Sequence, residues 1–489
     1  MSENLWLLCE ERPKEDVIKT ILEIFYQEYN GNLEDRDIKI IPRIRKIKNN
    51  MYFDFIFDVE GIESSLIKKV YIKIARSSNR SSFVDYLVFH QENEPIPGDS
   101  NNNLIFAIEE TKTGDSDSRN SGVYQRGSKF VYLDLYFKDD SVKKIMLYNN
   151  SMKDSESASD TNIFGIKMLR TLGVEIIGRT LDDRYDPFTS VQELIKFKEK
   201  MSDPPEGNVP IKITEFDDKI EISARLSNPV EAYNIGHDPN IGAVSLITST
   251  LRKLGTEKRI IITNHGVSQE YLNKTRGNKL LRIITSPEIN ATLDGLKISP
   301  LNDLQGDYWT YEDSSEKMVS IFLHLQAISK GKKHLYENHA GSERGYFFNS
   351  SGEEVPVPKT VDPDLINDVD CELRENFKDS KGRVKIPIPD LVLADNEAIS
   401  NILLLEAKKE EKVLEGLSTL KSYDIFKSAV LQKSGYDLDS IKVDRYVILF
   451  GGVSSEIENL DKKVLLQLCS DGKIILNENA PEWIKEIFK

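Results

Sequence analysis

Pro389-Asp390-Leu391-Val392-Leu393, followed after a turn by Leu403-Leu404-Leu405-Glu406-Ala407-Lys408, is the stretch from which this 489-residue chain is best read. An acid opens one apolar strand, and a second apolar strand closes on Glu-x-Lys. Nearer the N-terminus the same order recurs in Val84-Asp85-Tyr86-Leu87-Val88-Phe89 and Leu104-Ile105-Phe106-Ala107-Ile108-Glu109-Glu110-Thr111-Lys112. Side chains alternate faces along a strand, so Glu406 and Lys408 share one side, as do Glu110 and Lys112. Paired as hairpins, the runs bring Asp390 alongside Glu406 and Asp85 alongside Glu110. Neighbouring carboxylates repel, and a hard divalent cation such as Mg²⁺ is their natural neutraliser. A lysine beside them can orient a water or help deprotonate it. The plain alternative for any single Glu-x-Lys is a solvated pair on a sheet edge.

Pro389-Asp390…Glu406-Ala407-Lys408 resembles the signature of the PD-(D/E)xK nuclease superfamily, which includes most type II restriction endonucleases. The 15 residues between Asp390 and Glu406 suit two strands and a turn. The first copy departs from the pattern. Val84 stands in place of the proline, and 24 residues separate Asp85 from Glu110. The loop between them holds Asp99, a rival to Asp85 for the first acid. The run from Ile108 to Arg126 is also similar to the segment after the catalytic strand in some restriction enzymes.

The resemblance implies an α/β (mixed α+β) chain with two PD-(D/E)xK nuclease-like domains, 1–200 and 360–489, flanking a DNA-recognition region at 209–345. It implies Mg²⁺-dependent cleavage of double-stranded DNA, with Asp390, Glu406, Asp85 and Glu110 as metal ligands and Lys408 and Lys112 positioning the attacking water. One centre per strand suits an asymmetric site cut by a monomer. A single centre would require a dimer and suit a palindrome, and degenerate domains would leave a DNA-binding protein without catalysis.

Composition sets the remaining bounds. Hydrophobic content of 39% and charged content of 30% describe a folded, soluble chain. Three scattered cysteines, Cys9, Cys371 and Cys469, support neither a disulfide framework nor a thiolate zinc site, and a cytoplasmic location is expected. No apolar run approaches membrane-spanning length, and the first residues lack the bases of a signal peptide. The net charge of −15 argues against nucleic acid only if charge is evenly spread. Between residues 251 and 282, Arg252, Lys253, Lys258, Arg259, Lys274, Arg276, Lys279 and Arg282 face only Glu257 and Glu270, a local excess suited to a DNA-facing surface.

Periodicity predicts helices over 15–29, 190–201, 239–254, 363–377 and 415–431. Strands are expected over 51–59, 69–74, 130–137, 144–148, 259–263, 384–393, 401–407 and 443–450. Residues 200–207 read as a linker. Asp203-Pro204-Pro205-Glu206 lacks the aromatic fourth residue of an amino-methyltransferase motif, so a separate cognate methyltransferase is expected. Glu372 or Glu375 could add a further acid to the second centre. The six histidines show no His-Asn-His spacing, His334 and His339 lack the partners of a zinc site, and no Gly-rich Lys-Ser/Thr phosphate loop is present.

Overall fold

A computed structural model describes the chain apart from residues 1–2, 32, 34–36, 64, 79–81, 112–121, 138–140, 149–158, 202–210, 227–238, 266–278, 299–306, 313–314, 339–344 and 458. The architecture is mixed α/β. Two compact units share the chain: unit 1 comprises Met1–Leu5, Glu11–Ala75 and Tyr311–Lys489, and unit 2 comprises Trp6–Glu10 and Arg76–Thr310. These boundaries fall elsewhere than the segment limits expected near 200–209 and 345–360. The reason is sheet pairing, since Lys473 and Ile474 of a C-terminal strand bond to Tyr52 and Met51.

In unit 1, strand Asn50–Glu60 pairs antiparallel with Lys39–Ile47 and with Ile67–Ser77. From that strand the order continues Lys473–Leu476, Val464–Leu468, Lys442–Phe450, Asn401–Lys409, Leu391–Ala394 and Lys333–Glu337. Lys442–Phe450 is parallel to both of its neighbours, while Leu391–Ala394 is antiparallel to Asn401–Lys409. Strands buried on both faces read as unbroken apolar runs, as Ile402 to Leu405 does. A helical run over 413–434, which includes a π turn at Lys427–Leu431, covers one face. There Tyr423, Phe426 and Leu431 pack with Ile402, Leu404 and Val447.

Unit 2 repeats this order of pairings. Tyr86–His90 is antiparallel to Leu104–Thr111, which is parallel to Lys143–Tyr148, itself parallel to Val174–Ile177. A second sheet, in the order Ala291–Leu293, Arg259–Asn264, Lys219–Ala224 and Lys212–Glu215, completes the unit. Helix Gly122–Tyr136 links the first two parallel strands and lies against helix Pro239–Lys253. The approach is close enough that a Cβ on Gly242 would meet the Tyr124 carbonyl oxygen at 2.8 Å. Gly242→Ala is therefore expected to cost about 1–3 kcal/mol by forcing the two helices apart, measurable as a lower urea midpoint.

The helices at 15–29, 190–201 and 239–254 and most strands lie where periodicity places them. Residues 130–137 are the main exception. Up to Tyr136 they form the second half of helix Gly122–Tyr136, where Phe130, Val131, Tyr132, Leu133 and Leu135 are all buried and so apolar a run loses the helical period. The helix expected over 363–377 is two short pieces, Pro363–Ile366 and Cys371–Asn376. The strand expected over 384–393 is likewise broken, with Pro387 and Pro389 separating Val384–Lys385 from Leu391–Ala394. Most of the linker at 200–207 lies outside the described residues. Among the described residues, no helix is long and apolar enough to cross a membrane.

Candidate functional site

In unit 1 the hairpin register sets Leu391 opposite Leu405, so Asp390 arrives beside Glu406. The Asp390 N–H donates to the Leu405 carbonyl at 3.0 Å, and the Ala407 N–H donates to Asp390 Oδ2 at 2.8 Å. Lys408 Nζ stands 2.7 Å from Glu406 Oε1, and the Tyr423 hydroxyl donates to Glu406 Oε2. Glu406 therefore meets a cation on one oxygen and a neutral donor on the other. Asp390, Glu406 and Lys408, expected to assemble, are brought together.

The electrostatics follow from burial. Desolvation, and then the charge on Glu406, push the Asp390 carboxyl up to about 7. Burial works to lower Lys408, but its hydrogen bond and charge contact with Glu406, with Asp390 behind, raise it overall, so it stays an ammonium. Burial and then Glu406 hold the Tyr423 phenol well above its ordinary value, so it is a donor. Asp390 and Lys408 line a cleft of about 430 Å³ together with Glu312, Glu316, Lys317, Asn338 and Lys409. Glu316, at the start of helix Glu316–Ser329, raises Asp390 further and is a third acid that no spacing rule links to the hairpin. Glu372 and Glu375 are exposed, and Glu375 pairs with Lys378.

In unit 2 the structure selects a different partner for Asp85. Tyr86 pairs with Ile108, which sets Asp85 opposite Glu109. The Asp85 N–H donates to Glu109 Oε2 at 3.2 Å. Lys129, on helix Gly122–Tyr136, lies 2.8 Å from Glu109 Oε2, 3.5 Å from Asp85 Oδ1 and 3.8 Å from Glu10 Oε2. Burial first, then Asp85, push Glu109 up to about 8 against the pull of Lys129. Lys129 is lowered by burial but raised overall by Asp85, Glu109 and Glu10.

Glu110 points to the opposite face, where it accepts from the Tyr86 hydroxyl at 3.1 Å. Its charge, with that of Asp85, adds to the burial that keeps the Cys9 thiol protonated. The Glu110 main chain joins the first acid, its N–H donating to Asp85 Oδ2 at 2.7 Å. Asp99 closes its own turn, accepting from the Asn101 N–H at 2.9 Å. Lys112 lies outside the described residues.

The expected basic surface divides. Arg252 donates to the carbonyls of Ile289, Thr256, Lys258 and Asn290, which ties a helix end to two loops. Lys258 binds Glu215 and the Phe216 carbonyl, and Arg259 pairs with Asp218. Lys253 is exposed and Arg282 half-buried. Lys274 and Arg276 lie outside the described residues, and of Lys279 only the backbone is described.

The donor atoms at Asp390 and Glu406 are carboxylate oxygens, which suit Mg²⁺. Softer donors meet elsewhere in unit 1, where the ligand atoms of His324, His334 and Glu337 lie within 4.8 Å of one another. Glu337 there is already gripped by Arg12 at 2.8 and 2.9 Å and by His324 Nδ1 at 2.6 Å. Burial holds His324 well below its ordinary value, so it is neutral. His334 thus has an acid neighbour that its sequence spacing does not show, while His339 lies outside the described residues. Compared with known proteins, the chain matches no family model, no curated sequence and no solved structure.

Proposed function

We propose that this chain is a Mg²⁺-dependent endodeoxyribonuclease of the type II restriction class, hydrolysing phosphodiester bonds of double-stranded DNA at a specific sequence. One observation carries the reading: Asp390 and Lys408 line an open cleft, and the buried Glu406 stands beside Asp390 in the hairpin and is paired with Lys408. Two carboxylates forced together with partial loss of solvent are costly unless a cation joins them. Asp390 and Glu406 would hold Mg²⁺, with Glu316 within electrostatic reach. Bound there, the ion supplies positive charge to the scissile phosphate and acidifies water.

The protein's own groups divide the rest of the work. Lys408, kept as an ammonium, cannot accept a proton. Its role is to donate hydrogen bonds to the attacking water or a phosphate oxygen and so fix the line of attack. The Tyr423 hydroxyl fixes the Glu406 carboxylate from behind. Lys317 and Lys409, on the same cleft wall, add positive charge for the DNA backbone.

Incubation of the purified full chain with plasmid DNA and Mg²⁺ tests this directly. Discrete fragments, lost on chelation, are expected. A smear would indicate cleavage without sequence choice, and unchanged plasmid across a set of diverse sequences would reject the nuclease reading in favour of a DNA-binding protein.

A further inference from the structure

We infer that unit 2 carries a second hydrolytic centre, built from Asp85 and Glu109 with Lys129 supplied by a helix, and that the Glu110 side chain stands outside it. The inference rests on the proposed nuclease activity and assigns its second strand-cutting site.

In unit 1 Leu391 pairs with Leu405, and in unit 2 Tyr86 pairs with Ile108. Counting forward from these pairs, Glu406 corresponds to Glu109, Ala407 to Glu110, and Lys408 to Thr111. The hydrogen bonds made by each first acid support this correspondence. The first acid accepts from the N–H of the residue after the second acid, Ala407 at 2.8 Å in one unit and Glu110 at 2.7 Å in the other. The carbonyl of each first acid also accepts from the strand on its other side, from the Asn338 N–H at 2.7 Å and the Glu10 N–H at 3.1 Å.

Under this correspondence the strand position of the lysine falls to Thr111, which is not charged. The next helix restores the ammonium. In unit 1 the helical run after the second strand presents Tyr423 to Glu406; in unit 2 helix Gly122–Tyr136, at the same point in the topology, presents Lys129 to Glu109. The lysine-to-acid distances are 2.7 Å and 2.8 Å, so the ammonium lies against the second acid by either route. Glu110 shares a face with Tyr86 and is turned away from Lys129. The reaction is the same hydrolysis: water gives its hydroxyl to phosphorus as one ester P–O bond breaks, and its remaining proton ends on the departing sugar oxygen.

Two measurements on the full chain test the assignment. The first counts bound Mn²⁺ by electron paramagnetic resonance without DNA, which is independent of turnover. Two ions are expected in the parent and in Glu110→Gln, and one in Glu109→Gln. The second follows nicking of a supercoiled site with each strand labelled. Lys129→Met should slow one strand by about 100-fold or more while the other is still cut, and that remaining cut shows the variant is folded. Lys129→Arg should recover part of the loss. Two ions retained in Glu109→Gln, a single ion in the parent, or strand-selective loss from Glu110→Gln would overturn the second centre and leave the unit 1 reading in place. A parent that binds metal at Asp390 and Glu406 but cuts nothing would overturn the nuclease reading and the second centre with it.

Discussion

Glu406→Gln should reduce cleavage of one DNA strand by roughly 10³-fold, leaving supercoiled plasmid nicked rather than linear. The amide is nearly isosteric with the carboxylate, so the hydrogen bond from Tyr423 can persist and the hairpin is not disturbed. What disappears is the negative charge that holds the Lys408 ammonium and would share a divalent cation with Asp390. Each 1.4 kcal/mol of lost transition-state stabilisation is a factor of about ten, and a ligand charge in a partly dehydrated cleft is worth several such steps. Strand-resolved gel assays check the result. A rate within about threefold of the parent on both strands would mean that Glu406 is scaffold and that the chemistry lies elsewhere.

Asp390→Asn should make the metal-free protein more stable above neutral pH while removing the gain in stability that Mg²⁺ confers. The sign follows from the raised carboxyl. Asp390 in the folded chain holds its proton up to about pH 7, against an ordinary value of 3.8. The folded state therefore binds more protons than the unfolded chain between these limits, and stability falls as pH rises through that window. Above pH 7 the full cost is present, on the order of 2 kcal/mol once partial solvent access is allowed for. The amide carries no charge to desolvate, so its melting temperature at pH 8 should exceed that of the parent by a few degrees. Mg²⁺ should stabilise the parent most at pH 8 and progressively less towards pH 5, as protons compete for the same oxygens. Thermal melts at both pH values, with and without Mg²⁺, decide the matter. A parent whose Mg²⁺ response does not change with pH would remove Asp390 from the ligand set.

The unit 1 hairpin is legible in its residues because each local signal agrees: a proline before the acid, 15 intervening residues, and an apolar run ending in Glu-x-Lys. The unit 2 hairpin can be located in the sequence but not registered. Glu109-Glu110 offers an acid to either face, and a register shift between Val88 and Phe89 breaks simple counting along the strand. Lys129 stays hidden because 130–137 reads as strand: in that half of the helix only Asp134 interrupts the apolar run, so no polar stripe reveals the period there. Glu316 and Tyr423 reach their acids through tertiary packing, and nothing in their sequence distance from Asp390 or Glu406 announces it. The first strand, Glu3–Cys9, is absent from the strands that periodicity predicts, because its residues from Asn4 onward are buried without alternation. Glu10, directly after it, places a further acid beside Lys129.

The division of the chain into units has a consequence for biosynthesis. Unit 2 draws almost wholly on Arg76–Thr310, whereas unit 1 joins Glu11–Ala75 to Tyr311–Lys489. As the polypeptide leaves the ribosome, the strand Asn50–Glu60 must wait for Lys473–Leu476, which is made roughly 20–80 s later at about 5–20 residues per second. Until then the Met51–Tyr52 part of that strand edge is unpaired and open to wrong partners. Chaperone dependence should therefore fall on unit 1, and chains terminated before Lys473 should be recovered as aggregates rather than as shortened folded protein.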